Sequence, residues 1–349
     1  MSGGLGPIRR KIEEIDQKIV KLMIERNDAA EMVGEIKKEF GIPLRHLETE
    51  ESIVRKYRRA AENTTLSPDV AETVCRMLIS GSVELQALIL REGHSDKISI
   101  IGGGGRMGGW MAKYFESMGS TVNIVDTDIG NMNDIKDSDI VVISVPISSV
   151  SNVLKEADRL CRDDALIFDI SSIKSPFSDQ LKEMAKRRKV CSVHPMFGPS
   201  ALSMTDKNVL ICDCGCEAAV EEAKRLFKSD VPNMVVTSVE DHDRFMSYSL
   251  GLAHASNIIF LTALKGSGIP FSEVKKVSSA TLDRTLKASV PVTSENASLY
   301  HEVQRLNINT EDMWDVFEKA FTDVKDSSLS ADGEKFAAIL EEGKNYLGT

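Results

Sequence analysis

Lys97-Ile98-Ser99-Ile100-Ile101-Gly102-Gly103-Gly104-Gly105-Arg106-Met107-Gly108 is a short apolar run that breaks into glycines and then into a helical pattern. It contains G-x-G-x-x-G as Gly103, Gly105 and Gly108. In that spacing the first glycine makes a tight turn, the second lets a pyrophosphate approach the backbone, and the third lets the following helix pack on the strand. The N-terminus of that helix offers free N–H groups and a positive dipole end to phosphate. Asp126 closes the next strand-like run, 18 residues after Gly108, where a carboxylate would accept from ribose hydroxyls. It would also repel a 2′-phosphate, and Thr127-Asp128-Ile129-Gly130 supplies no arginine to offset that repulsion. The stretch therefore predicts a dinucleotide site that takes NAD rather than NADP.

Runs at 121–125, 140–145 and 165–170 repeat the apolar texture of 97–101, with helix-like stretches between the early ones. Strands apolar nearly throughout and separated by helices predict a doubly wound parallel sheet covered on both faces. After about Asp243 the pattern turns helical to the end; the apolar stretch 250–264 reads as its core, with a dimer interface of long helices as the plainer reading. Upstream, Ile8, Ile12, Ile15, Ile19, Leu22, Ala29, Val33, Ile36 and Phe40 recur at helical spacing and stop at Gly41 and Pro43. A weaker helical pattern runs through Ile53, Val54, Tyr57 and Ala60. Ser67 and Pro68 read as N-cap and first position of a third helix through Val74, Leu78, Leu85 and Leu88. Three helices with so long a first member cannot cover their own stripes, so a second copy is expected to pair with them. The expected domains are 1–93, 97–243 and 244–349.

The 349 residues allow two or three such units, and 42% hydrophobic with 28% charged residues is ordinary for a globular chain. A net charge of −10 argues against non-specific nucleic-acid binding, while leaving room for anionic small molecules in a locally basic pocket. No run approaches the roughly 20 apolar residues that span a bilayer, and residues 1–7 carry no signal-like apolar region, so no membrane partner and a cytoplasmic setting are expected. The six cysteines are Cys75, Cys161, Cys191, Cys212, Cys214 and Cys216, too sparse for a disulfide-stapled fold. The last three form C-x-C-x-C without a C-x-x-C or His-x-x-x-His companion, so they read as a strand end entering a turn rather than as a metal site.

A second cluster follows the 165–170 strand as Ser171-Ser172-Ile173-Lys174, and a third is Val193-His194-Pro195-Met196-Phe197-Gly198-Pro199. A histidine at a strand end beside Pro and Gly sits on restricted backbone and can act as a base near neutral pH. Together with Gly102 to Gly108 and Ser144-Val145-Pro146-Ile147, these segments resemble prephenate dehydrogenase. The N-terminal helices resemble the all-helical chorismate mutases, and their order resembles the bifunctional T-proteins of tyrosine biosynthesis. The resemblance implies an all-α N-terminal domain, a Rossmann-type α/β domain and an all-α dimerisation domain. It implies oxidative decarboxylation of prephenate to 4-hydroxyphenylpyruvate with hydride transfer to NAD. His194 would take the proton of the ring 4-hydroxyl, Ser172 would orient both partners, and Lys174 would lie near cofactor and substrate. His242 matches a substrate-binding histidine and His254 an effector-site histidine. Gly103, Gly105, Arg106, Met107, Gly108, Asp126, Ser144 and Pro146 would meet the cofactor. The family's carboxylate-binding arginine falls on Pro291, nine residues before Tyr300. Arg284, Lys287 and Arg305 are the nearby cations, and Arg284 is the expected substitute.

On the first helix Arg26 continues the apolar stripe, and Lys37, 11 residues on, faces within roughly 20° of it at 100° per residue. Cations on a buried seam are costly unless paired or reaching solvent. The mutase resemblance explains them through a dicarboxylate, chorismate: Arg26 would bind a carboxylate, Lys37 and Gln86 the ether oxygen, with Ser82 and Glu50 in the same pocket. That rearrangement is pericyclic and needs only compact binding and charge stabilisation. Arg9 is about 25 Å from Arg26 along the helix, so it would complete the pocket of a second copy in a homodimer. Thr49 replaces the family's usual arginine and His46 a common aspartate, with Arg45 as a neighbouring cation. Two other readings stay open: a different hydroxy-acid dehydrogenase, and N-terminal helices that serve only as a dimerisation or effector module. Prephenate and arogenate stay undistinguished.

Overall fold

The computed structural model describes residues 5–91, 93–230, 232–294 and 296–348, so Met1 to Gly4 of the N-terminal reading lie outside it. Helix α1 (Leu5–Phe40) runs 36 residues and ends at Gly41, whose φ of +63° is the left-handed stop that glycine permits. It is followed by α2 (Leu47–Ala61) and α3 (Pro68–Leu90), the latter capped by Ser67, whose hydroxyl accepts from the Asp69 N–H at 3.3 Å. At Gly34 a Cβ would stand 2.9 Å from Ile89 Cδ1, so the glycine lets α1 and α3 approach closely. Leu44, Val54, Cys75, Ile79, Val83 and Ala87 form the small core beneath. Helix α3 is long and apolar enough by length and composition to cross a membrane, yet its buried face belongs to that core.

The first half of α1 finds no such cover. Ile8, Ile12, Ile15, Ile19 and Leu22 are 46–63% exposed, and Val70, Val74 and Met77 of α3 are exposed as well. The amphipathic stripe is where its periodicity placed it, but none of the described residues buries it.

The middle of the chain alternates β1 (Lys97–Ile101), α4 (Arg106–Ser117), β2 (Thr121–Val125), β3 (Ile140–Ile143), α5 (Ile147–Leu160), β4 (Leu166–Asp169), α6 (Ser178–Ala185), β5 (Lys189–Pro195), β6 (Asn208–Asp213), α7 (Glu217–Phe227) and β7 (Asn233–Ser238). They form one sheet in the order β2-β1-β3-β4-β5-β6-β7, with apolar layers on both faces. The first five strands are parallel, as expected, but β6 runs antiparallel to β5 and carries β7 with it. Residues 196–207 hold no crossover helix, so the chain can only return beside β5 in the opposite direction. Cys212 lies in β6, Gly215 turns with φ +103°, and Cys216 caps α7, the strand end and turn that the spacing implied.

The remainder is helical: α8 (Val239–Met246), a π-helical turn (Ser247–Leu252), α9 (Ala253–Gly266), α10 (Phe271–Lys276), α11 (Ala280–Ser294), α12 (Ala297–Leu306), α13 (Thr310–Leu329) and α14 (Glu334–Leu347). The stretch 250–264 is not a core within one chain: only Ala255 of α9 is buried, while Ile258 and Ile259 face outward. These helices pack on one side only, which leaves apolar faces open.

Candidate active sites

The chain turns from β1 into α4 through backbone that tolerates no side chain. Gly102 has φ +84°, and a Cβ there would lie 2.1 Å from the Ser144 carbonyl oxygen. A Cβ on Gly108 would lie 2.2 Å from the Gly102 carbonyl oxygen, and one on Gly103 2.8 Å from Ile124 Cγ2. The left-handed turn thus falls on Gly102 rather than Gly103, which is glycine because β2 packs against it. Asp126 stands beside this loop: its Oδ2 accepts from the Gly104 N–H at 2.9 Å and its Oδ1 from the Thr127 N–H at 2.7 Å. Bare backbone, a helix N-terminus opening at Arg106 and a carboxylate beside the loop at the end of β2 together fit a dinucleotide.

Adjoining the loop is a cavity of about 610 Å³ walled by Gly105, Arg106, Met107, Ser144, Pro146, Ser172 and His194 among others, with residues 196–199 on one side and His254, Tyr300 and Glu302 on another. The structure therefore brings together the glycine loop, the 144–147 segment, Ser172 and His194, which span 89 positions from Gly105 to His194.

His194 is nearly fully buried at the end of β5, and its Nδ1 lies 2.9 Å from His242 Nε2. His242 Nδ1 in turn lies 2.7 Å from Asp243 Oδ1. The Asp243 carboxylate also accepts from the backbone N–H groups of Lys174, at 2.9 Å, and Ser175, at 2.6 Å, and from the Ser175 hydroxyl. Burial alone would raise its pKa, but the hydrogen bonds from His242 and Ser175 outweigh it and hold the carboxyl below its ordinary value. A carboxylate only accepts, so His242 donates from Nδ1 and presents a lone pair at Nε2. His194 must then donate from Nδ1, which leaves its Nε2 as a free acceptor. Burial first, then the neighbouring His242 and Lys174, hold His194 well below the usual imidazole range. Burial lowers His242 too, against the opposing bond to Asp243.

Three expected ligand contacts lie elsewhere. Lys174 is fully buried, and its Nζ donates to Asp169 Oδ1 at 2.9 Å, to Ser171 O at 2.6 Å and to Val193 O at 3.1 Å. All three ammonium protons are taken, so it braces the floor of the cavity. His242 stands behind His194 rather than in the wall. Arg284 is exposed on α11 away from the cavity, as are Lys287, and Arg305 on α12. His254 does reach the wall, its ring centroid 4.4 Å from that of Tyr300. Two residues without an assigned role prove central: Asp243, adjacent to His242, and Glu302, whose carboxylate accepts from the Ile147 N–H at 3.1 Å and the Ser148 hydroxyl at 2.6 Å. Glu302 caps α5 and ties α12 to the lip of the cavity. The His-Asp pair offered a signal in its adjacency; Glu302, 155 residues from its partner, offered none.

A second polar cluster lies between the N-terminal helices. Arg26 donates to the Leu78 carbonyl at 2.7 Å and to the Ser82 hydroxyl; Lys37 donates to Gln86 Oε1 at 2.8 Å and to the Leu44 carbonyl. Burial pulls the Lys37 ammonium below its usual range, with Glu50 opposing. Arg45 grips Glu50 through Nε at 3.0 Å and through Nη2, holding its carboxyl below the usual range. Thr49 and His46, the two departures, bond each other at 3.0 Å, so Arg45 is the cation beside Glu50. Arg9 lies on the uncovered half of α1, exposed and without a partner among the described residues.

A family model described as chorismate mutase type II matches residues 8–87, and one described as the nucleotide-binding domain of prephenate dehydrogenase matches residues 112–230. The T-protein of Haemophilus influenzae is 25% identical over 305 residues, 86% of this chain and 80% of that protein. A chorismate mutase of Methanocaldococcus jannaschii is 38% identical over 88 residues, 25% of this chain and 89% of that protein. A protein of the same organism described as a probable arogenate/prephenate dehydrogenase is 27% identical over 272 residues, 72% of this chain, and the chain spans 61% of its length. The fold of residues beyond the first helices is shared with a prephenate dehydrogenase from A. aeolicus in complex with hydroxyphenyl propionate and NAD+, at a TM-score of 0.61 and 18% identity, covering 72% of this chain and 97% of that one.

Proposed function

We propose that this chain, which belongs to the type II chorismate mutase and prephenate dehydrogenase families, performs both reactions in sequence for tyrosine biosynthesis: chorismate to prephenate, then prephenate to 4-hydroxyphenylpyruvate with NAD as oxidant. The observation that carries the reading is the Asp243-His242-His194 chain ending in a cavity beside the glycine loop.

In the dehydrogenase half, His194 Nε2 accepts the proton of the ring 4-hydroxyl as that carbon gives up its hydride. The C1 carboxylate then leaves as carbon dioxide and its bonding electrons complete the aromatic ring. When bound, the nicotinamide takes the hydride. The positive charge gained by His194 is stabilised through His242 by the Asp243 carboxylate. Ser172 orients substrate and cofactor, and Arg106 with the α4 N-terminus holds the pyrophosphate. Ser172, Tyr300 and His254 offer polar contacts for the substrate carboxylates. Lys174 and His242 act as supports.

In the mutase half, Arg26 pairs with a carboxylate of chorismate, Lys37 and Gln86 meet the ether oxygen as its bond breaks, Ser82 fixes Arg26, and Glu50 with Arg45 orients the ring hydroxyl. Arg9 completes the pocket of a second copy, whose docking also covers the exposed stripe of α1. The working unit is a homodimer, acting in the cytoplasm, with mutase, cofactor and helical units at 1–93, 97–243 and 244–349.

Incubation with chorismate alone, and with NAD, separates the steps. Prephenate should accumulate without NAD and 4-hydroxyphenylpyruvate with it. Chorismate that persists unchanged in both would remove the mutase assignment, and prephenate that persists with NAD would remove the dehydrogenase assignment.

A further inference from the structure

The segment between β5 and β6, residues 196–207, walls the dehydrogenase cavity at its start and meets the connection between α1 and α2 at its end. Trp110 of α4 steadies the first part, donating to the Ala201 carbonyl at 2.6 Å with its ring edge-on to Phe197. Farther along, the Met204 N–H donates to Asp230 Oδ2 at 3.1 Å. Asp230 is fully buried and gripped at 2.5 and 2.8 Å by Arg91, the residue that ends α3. Two positions on, Asp206 accepts from Arg45 Nη1 at 2.5 Å. Arg45 spends its other two donor directions on both oxygens of Glu50. One planar guanidinium therefore joins the carboxylate of the mutase pocket to the loop of the dehydrogenase cavity. The buried Arg91–Asp230 pair fixes the two units in the pose that makes this bridge possible.

We propose that Arg45 is a positioning residue for dehydrogenation: through Asp206 it holds the 196–207 loop, and through Glu50 that hold responds to the occupant of the mutase pocket. A guanidinium is a rigid fork, so fixing Glu50 fixes the direction of Nη1. Arg45, about one-third exposed, is held by the two carboxylates alone, and a ligand that fixes Glu50 further would firm the bridge to Asp206. An ion pair at this exposure supports coupling of no more than about fivefold. Coupling of binding is reciprocal, so a ligand in the dehydrogenase cavity should tighten the mutase ligand by the same factor.

The proposal rests on the two pocket assignments above, and its test leaves them separately readable. Asp206 has φ +59°, a conformation that asparagine also adopts readily, so Asp206→Asn removes the charge while keeping the backbone. The KM for prephenate is measured for the native dimer and for Asp206→Asn, with and without saturating non-reactive bicyclic dicarboxylate shaped like folded chorismate. The native KM should fall about two- to fivefold with the dicarboxylate. The Asp206→Asn KM should start higher and stay unmoved, while its chorismate turnover remains native. A native KM that does not fall, or two proteins that respond alike, overturns the proposal. Absence of prephenate oxidation or of chorismate loss in the native dimer alone would instead count against the pocket assignments.

Discussion

His194 Nδ1 sits 2.9 Å from His242 Nε2, and this contact decides which nitrogen of His194 is free to take a proton. Asp243 orders the pair from behind, at 2.7 Å from His242 Nδ1. Asp243→Asn would let an amide N–H donate to His242 Nδ1, reverse both tautomers and turn a protonated Nε2 toward the cavity. Dehydrogenase kcat should fall by roughly 10²–10⁴-fold, the range for a disabled general base. Chorismate turnover should not change. A kcat within threefold of native would show that the order of donors is irrelevant.

The pH profile carries the same logic. As a general base His194 would work only when neutral, and its pKa is lowered by burial and by His242 and Lys174. A lowered pKa extends the neutral form to more acidic solution. Dehydrogenase kcat/KM should therefore stay flat as pH drops from 8 through 6.5 and decline only once pH passes through the lowered value. A half-maximum at or above pH 6.5 would mean that the base is not this buried ring.

Lys174 and Asp169 pair at 2.9 Å with both side chains wholly buried. Lys174→Met leaves Asp169 charged and unpaired in the sheet, which should cost about 3–5 kcal/mol of stability. Denaturant unfolding monitored on the sheet domain measures it. A variant as stable as native, with only a raised KM for prephenate, would return Lys174 to the role of ligand contact.

Much of the architecture was written in short-range pattern: the stop at Gly41, the cap at Ser67, the strand beginning at Lys97 and the glycine loop each depend on neighbours a few positions away. What stayed hidden depends on packing at long range. The reversal of β6 follows from a helix-free connection whose course no periodicity reports. Lys174 and His242 both lie next to the cavity, but whether a side chain points into it or braces it from behind depends on partners such as Val193, Asp243 and Asp169. Arg284 carries the expected charge but is exposed on α11, outside the cavity wall of its own chain.

Asp126 predicts cofactor choice. Its carboxylate, with no arginine in the following four residues, should favour NAD over NADP, and Asp126→Ser should narrow that preference. Initial rates with both cofactors at limiting concentration measure it; equal native rates would contradict the assignment.

The proposed sharing of the mutase pocket between two copies can be read by mixing. Arg9→Ala and Arg26→Ala should each be nearly inactive, because each leaves a substrate carboxylate unpaired. Refolded together, half the dimers are mixed and each holds one intact pocket of two, so activity should recover to roughly a quarter of native. Subunit exchange without recovery would place Arg9 outside the partner's pocket.

The most direct measurement follows one variant, His194→Asn, supplied with chorismate and NAD together. Chorismate should disappear at the native rate, prephenate should accumulate, and NADH should form at least roughly 10²-fold more slowly than in the native enzyme. NADH formed at near the native rate, or chorismate left unconsumed by both proteins, would contradict a mutase and a dehydrogenase joined in one chain with His194 as the base.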